Sequence, residues 1–255
     1  MPWLSWKQSV SRLIDVVIGG KWSVKQLPEK IKKHALDDHL NLIHRARVRM
    51  VSTLLPPGDV ILDLGGANCP LYKMGYPHKF KKLYLIDLPP EERCDMYKEI
   101  IVDPDCEGGE VVIKYGDMTD LKAFSDDSVD FVWSGQSIEH VPLEAGREMC
   151  RAAYRVLRPG GMFCLDTPNR LITQIHTRDV GGGFIHPEHW IEYEPKQLRE
   201  LLEEAGFTVH RVLGVCEMPV TAQSGNFDYT DFLYGEQFTD KVDQCYIQYF
   251  HCVKP

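Results

Sequence analysis

Apolar positions along this chain follow two rhythms, and the change between them marks its organisation. Near the start the spacing is helical. Val10, Leu13, Ile14, Val17 and Ile18 recur three and four apart until Gly19-Gly20 interrupts them. Trp3, Leu4 and Trp6 precede this stripe. A second helix is expected over about 38–54, with Ile43, Ala46, Met50, Val51 and Leu54 on one face, ended by Pro56-Pro57-Gly58. Residues 1–55 therefore read as an N-terminal helical extension or lid, and 56–255 as the main domain.

Beyond Gly58 the rhythm changes to short apolar runs separated by amphipathic stretches. Strands are expected at Val60–Leu64, Leu83–Leu88, Val111–Tyr115, Val129–Ser134 and Met162–Asp166, with later ones near 208–215 and 244–253. Runs without polar alternation suit strands buried on both faces. Helices are expected at 143–157, with Met149, Ala153, Val156 and Leu157 in step before Arg158-Pro159-Gly160-Gly161, and at 195–205, with Leu198, Leu201, Leu202 and Ala205. This alternation predicts an α/β fold: a doubly wound, mainly parallel, seven-stranded sheet with helices on both faces.

Composition narrows the function classes. At 255 residues and a formal charge of -8 the chain suits one sizeable domain without a sequence-independent grip on nucleic acid. The basic run His44 to Arg49 reads as a solvated helix face. The 8 cysteines form no Cys-x-x-Cys pair, so a zinc ribbon has no support and reduced thiols in a cytoplasmic protein are expected. No apolar run approaches the roughly 18 residues of a membrane span, and no secretory signal is legible.

The ligand is written at the strand ends. In an open parallel sheet, ligands bind beyond the carboxyl ends of the strands. The first strand stops at Gly65-Gly66, where bare backbone allows close approach. The second ends in Asp87, roughly 20 residues on, where an acid accepts from ribose hydroxyls in nucleoside-binding folds. The third ends in Asp117 and Met118, placed to accept from an adenine amine and to cover the ring. A dinucleotide fits poorly, because Gly65, Ala67 and Pro70 occupy the Gly-x-Gly-x-x-Gly positions. No Gly-Lys-Ser/Thr follows, so a triphosphate fits no better.

The succession "LDLGGAN", "LYLIDL", "YGDMTDL", "FSDDSVDFVWSGQSIEHV" and "RVLRPGGMFCLDTPN" resembles the class I S-adenosylmethionine-dependent methyltransferases, within the broad ubiquinone-methyltransferase-like group, over about 58–215. The resemblance implies a Rossmann-like methyltransferase fold and S-adenosylmethionine as cofactor. It places Gly65, Gly66 and Ala67 against the methionine part and Asp63 behind the loop, orienting the ammonium. Asp87, with Leu88 beside it, takes the ribose; Asp117 and Met118 frame adenine; Ser134, Gly135 and Gln136 face the methionine amine and sulfonium. Ala67 and Cys69 depart from the family's later glycines, so altered packing around methionine is expected.

Methyl transfer needs the acceptor, methyl and sulfur in line, and a base where the nucleophile is a hydroxyl. Glu139 and His140 follow the fourth strand; His186 and His189 lie in "GGGFIHPEHW", after the fifth. His140, His186 and His189 are the catalytic candidates, because imidazole titrates near neutrality. His186 and His189 also form a two-imidazole pair, but spacing supplies no third ligand, so no metal is expected. Gly181-Gly182-Gly183 reads as a hinge. The stretch 216–243, with Asn226, Phe227, Tyr229, Phe232 and Tyr234, reads as a packed loop or an aromatic acceptor wall.

The expected activity is O-methylation of a sugar, polyol or natural-product hydroxyl. An NAD-dependent oxidoreductase and a non-catalytic cofactor-binding protein are the rivals. The expected partners are a small-molecule acceptor, no nucleic acid and, as an option left open, a second copy of the chain.

Overall fold

A computed structural model describes residues 29–67, 70–93, 106–178 and 181–255. The stripe expected at Val10–Ile18 and the position of Cys69 lie outside them. Helix α1 runs Glu29–Leu54, longer than the apolar stripe at 38–54 because Glu29 to Asp38 continue it with good helix formers and no breaker.

Strands β1 (Val60–Leu64), β2 (Lys82–Asp87), β3 (Glu110–Tyr115) and β4 (Val129–Gly135) follow the expected runs closely. After helix α2 (Leu143–Val156), β5 occupies Leu157–Pro168. It begins earlier than expected. The Pro-Gly-Gly that reads as a loop is paired: Gly160 takes a left-handed φ of 76°, its N–H donates to Lys254 O, and Lys254 N–H donates to Gly161 O. Helices α3 (Arg170–Arg178) and α4 (Pro195–Glu204) precede β6 (Thr208–Glu217). Helices α5 (Pro219–Ser224) and α6 (Asp231–Tyr234), the two-residue strand β7 (Phe238–Thr239) and β8 (Cys245–Val253) complete the chain.

The sheet has eight strands, in the order β3-β2-β1-β4-β5-β8-β6-β7, where seven were expected. The extra strand is β7, which pairs Gly214 with Thr239 and Val215 with Phe238 inside the 216–243 segment. Two residues carry no periodicity to be read. The five strands β1 to β5 are parallel, and β8 runs antiparallel between β5 and β6.

Alternation along the strands divides the core in two. Ile61, Leu83, Leu85, Phe131, Trp133 and Cys164 pack with Met50 and Val51 of α1 on one face. Leu62, Leu64, Val132, Phe163 and Leu165 pack with α2 and α4 on the other. Each fully buried Leu, Ile or Phe side chain contributes about 1.5–3 kcal/mol. Chain order reverses between β1 and β4, which meet at Leu64 and Ser134, so the cleft past their carboxyl ends is the topological switch point. The described cysteines Cys106, Cys150, Cys164, Cys216, Cys245 and Cys252 are free thiols. No described helix is long and apolar enough to cross a membrane.

Candidate active site

A cleft of about 1360 Å³ opens at that edge. It exceeds the roughly 300–1,000 Å³ of a pocket for one drug-sized ligand, so it has room for a cofactor and an acceptor together. Its floor is the β1 turn. Gly65 sits at φ 73°, and its N–H donates to Ile86 O at 2.8 Å. A Cβ on Gly65 would stand 2.5 Å from Ser137 Oγ, and one on Gly66 would fall on the Asp63 carboxyl. The two glycines therefore meet two different needs, a left-handed turn and a close approach by buried acid.

Asp63 is buried, accepts the Leu71 N–H at 2.7 Å, and is pushed up to about 7 by burial. Asp87 stands at the end of β2, accepting from Ala67 N–H at 3.0 Å and Leu88 N–H at 2.8 Å, with Arg93 Nε 3.7 Å away. Across from it, Gly116, Asp117 and Met118 line the cleft; Asp117 also caps its own turn through Thr119 N–H. A Cβ on Gly116 would meet no atom within 4 Å, so the backbone between the two acids faces open space. That slot suits a nucleoside held by Asp87 and covered by Met118.

Two of the expected cofactor contacts are placed differently. Ser134 is fully buried, its Oγ has no partner, and it does not line the cleft. The pleat turns it to the α2 side, while Trp133 and Gly135 face the ligand side. Ala67 is also buried away from the cleft, and only its backbone N–H takes part, through Asp87. Gly135 and Gln136 line the cleft. Gln136 holds a left-handed φ of 57°, and its Nε2 donates to Asp166 at 3.2 Å.

Sequence reasoning missed Arg47 and Asp166. Asp166 is fully buried at the end of β5, and Arg47 reaches it from α1 with two bonds, Nε at 2.5 Å and Nη2 at 3.1 Å. The partners are 119 residues apart, so no local pattern announces the pair.

At the opposite end the three candidate histidines come together. The His140 and His189 ring centroids are 4.8 Å apart, His140 and His186 5.7 Å, and His186 and His189 5.4 Å. This corrects the expectation that His186 and His189 lack a third ligand, because His140 is that neighbour. His140 is held down to about 4, by burial first and then by the two other imidazoles. It stays neutral at pH 7 and is a weaker base than free imidazole, so a rate limb near the ordinary histidine pKa is not what this setting produces. Beside it, Glu139 is fully buried and pushed up to about 7 by burial; Oε2 accepts from Thr167 at 2.9 Å and Oε1 has no partner among the described residues.

The far wall is aromatic. His176 stacks on Phe227 at 3.9 Å, with Nδ1 2.8 Å from Tyr246 OH and Nε2 2.9 Å from Tyr229 OH. His39 of α1 packs against Tyr229 and Phe232. So Phe227, Tyr229 and Phe232 of the 216–243 segment form a packed wall, of which Tyr229 lines the cleft. Asn226 instead bonds Ser224 and Arg178 in an exposed turn, and Tyr234 is not part of the lining.

His176 is held down to about 4, by burial first and then by His39, with Glu192 acting the other way. The unfolded chain therefore binds the extra proton at a higher pH than the folded one. This contribution to stability is complete above about 6.5 and is lost as pH falls toward 4. The melting temperature of wild type relative to His176→Gln should thus fall over that window; a constant difference would show that His176 does not titrate in this way.

Comparison with known proteins bears on the domain and the fold. Residues 62–165 match the family described as "Methyltransferase domain". A Mycolicibacterium smegmatis protein described as a "probable S-adenosylmethionine-dependent methyltransferase" is 43% identical over 105 residues, which take in 41% of this chain and 38% of that protein. A Thermotoga maritima structure described as a "possible histamine N-methyltransferase" superposes with a TM-score of 0.57 at 18% identity, over 89% of this chain and 99% of that one. A Haloferax volcanii methyltransferase, solved with the Trm112 activator, gives 0.58 at 19% identity, over 90% and 100%. The fold is that of the class I methyltransferases. Residues 62–165 thus match a methyltransferase domain, and that family match together with the fold implies S-adenosylmethionine as its cofactor.

Proposed function

We propose that this chain transfers the methyl group of S-adenosylmethionine to a hydroxyl of a small molecule, such as a sugar, a polyol or a natural product. One observation carries the reading: a single cleft joins the Gly65–Asp87–Asp117 end to the His140–His186–His189 end. The cofactor supplies a methyl on a sulfonium, already activated for displacement. That methyl would pass to the acceptor oxygen, and the residues at the histidine end would receive the proton that the hydroxyl gives up.

In this reading Asp87 holds the ribose, and Asp117 and Met118 hold the adenine. Gly65, Gly66, Gly135 and Gln136 surround the methionine part, with Asp63 and the Ala67 N–H supporting them from behind. Helix α1 closes one side through His39, Ile43 and Arg47, which supports a lid role for this described part of the N-terminal extension. The aromatic wall suits the face of a ring, and the charge of -8 disfavours an RNA acceptor. An amine acceptor is the second reading, supported by the Thermotoga maritima likeness in fold.

Calorimetry with S-adenosylmethionine, followed by a methyl-transfer screen over sugars, quinols, polyketides and amines, tests the proposal. Asp87→Ala should weaken the cofactor by about 1–3 kcal/mol, because ribose hydroxyls then lie unpaired in a closed site. Unchanged affinity would remove Asp87 from the ribose. Binding of NADH in place of S-adenosylmethionine would overturn the whole reading.

A further inference from the structure

Three imidazoles at one place need a reason. Each has a candidate ligand nitrogen, and these atoms lie within 4.8 Å of one another. Three nitrogens around zinc at 2.0–2.1 Å would stand about 3.3 Å apart, so closing the cluster takes ring rotations on the order of 1 Å.

The surroundings are built for ligation. His189 Nδ1 bonds Glu192 Oε1 at 2.8 Å. Glu192 is itself buried and held by Thr173, by Ile185 N–H at 2.8 Å and by Arg170. A carboxylate behind one ring nitrogen fixes the tautomer and leaves the other nitrogen's lone pair for a metal. The Glu188 backbone is also a hydrogen-bond partner of the His140 ring. His186 Nδ1 accepts a long 3.3 Å contact from Glu188 N–H, which ligation through Nε2 would give up.

The His186–His189 segment is also clamped to the segment that carries His140: Trp190 N–H donates to Glu139 O at 2.8 Å and Ile191 N–H to the same oxygen at 3.4 Å. Independently, the buried Glu139 lines the cleft with Oε1 unpartnered, beside His189. A buried carboxyl oxygen without a donor is relieved either by a proton or by a nearby cation, and an ion at the three imidazoles would be such a cation. Ring packing alone would explain the histidine contacts, but not the carboxylate set behind His189.

We propose that His140, His186 and His189 bind one divalent transition-metal ion of the zinc type, which holds the acceptor hydroxyl and promotes loss of its proton to water. Imidazole donors favour such an ion over magnesium or calcium, which take oxygen ligands. Three protein ligands leave a position open for the acceptor. The ion's role in methyl transfer rests on the function proposed above; its binding does not.

The test uses the full chain, stripped with EDTA and titrated with Co²⁺ by visible absorption and with Zn²⁺ by calorimetry. S-adenosylmethionine affinity is measured separately on the same preparations. One ion per chain is expected, lost in His186→Ala and in His189→Ala, and weakened roughly 10- to 100-fold in Glu192→Gln. The folded state of each variant is checked by its cofactor affinity, which should hold. Absence of stoichiometric uptake by the wild-type chain overturns the proposal, as does undiminished uptake in the His186→Ala/His189→Ala double variant. Metal uptake by a chain that does not bind S-adenosylmethionine supports the metal site while removing the methyltransferase reading.

Discussion

His140→Ala is expected to lower turnover by roughly 10² to 10⁴-fold while leaving S-adenosylmethionine affinity unchanged. His140 lies at the end of the 3₁₀ turn Ile138–His140, on the rim of the cleft opposite the Asp87 end. Its loss removes the group that carries the hydroxyl's proton or fixes the ion that weakens it. The two roles separate by comparison. If the three imidazoles act as one ligand set, His186→Ala and His189→Ala should fall as far as His140→Ala, because residues that act as a unit are not additive. If one histidine is the base, only its variant falls. Single-turnover assays with each variant decide this. Full turnover in all three would show that no histidine is needed and would move the reaction to a carbon or a neutral amine.

The strand ends were legible because burial on both faces leaves uninterrupted apolar runs, and the acid that closes each run stands out. Asp87 is the clearest case: "LYLI" stops at one carboxylate, and the structure puts that carboxylate in the cleft. Ser134 was misplaced although period-two alternation was available, since Trp133 and Ser134 must face opposite sides of β4. The histidine cluster was half legible. His186 and His189 are neighbours in sequence, but His140 reaches them only because β5 and α3 return the chain to the same edge. Spacing counts neighbours along the chain and not across a cleft. The Arg47–Asp166 pair was illegible for the same reason, with one partner on an amphipathic helix and the other inside a strand. The strand β7 was too short to carry a period at all.

Arg47→Ala should be the most costly single change outside the hydrophobic core. Asp166 is fully buried, and its carboxylate is held by both Arg47 bonds and by Gln136 Nε2. Removing one partner of a buried pair leaves an uncompensated charge, at about 3–5 kcal/mol. The lower end applies here, because the Arg47 side chain keeps 14% of its exposure and Gln136 still donates. Denaturant unfolding of Arg47→Ala and Asp166→Asn measures the effect. Asp166→Asn removes the buried charge as well and should cost less, which separates an unpaired carboxylate from a simple loss of contact. The same pair fastens α1 across the part of the cleft lined by Gly65, Gly66 and Gln136, so, on the cofactor placement proposed above, Arg47→Ala should also raise the Kd for S-adenosylmethionine. Unchanged stability and cofactor affinity in Arg47→Ala would show that α1 is held by its apolar face alone, through Ala46, Met50 and Val51.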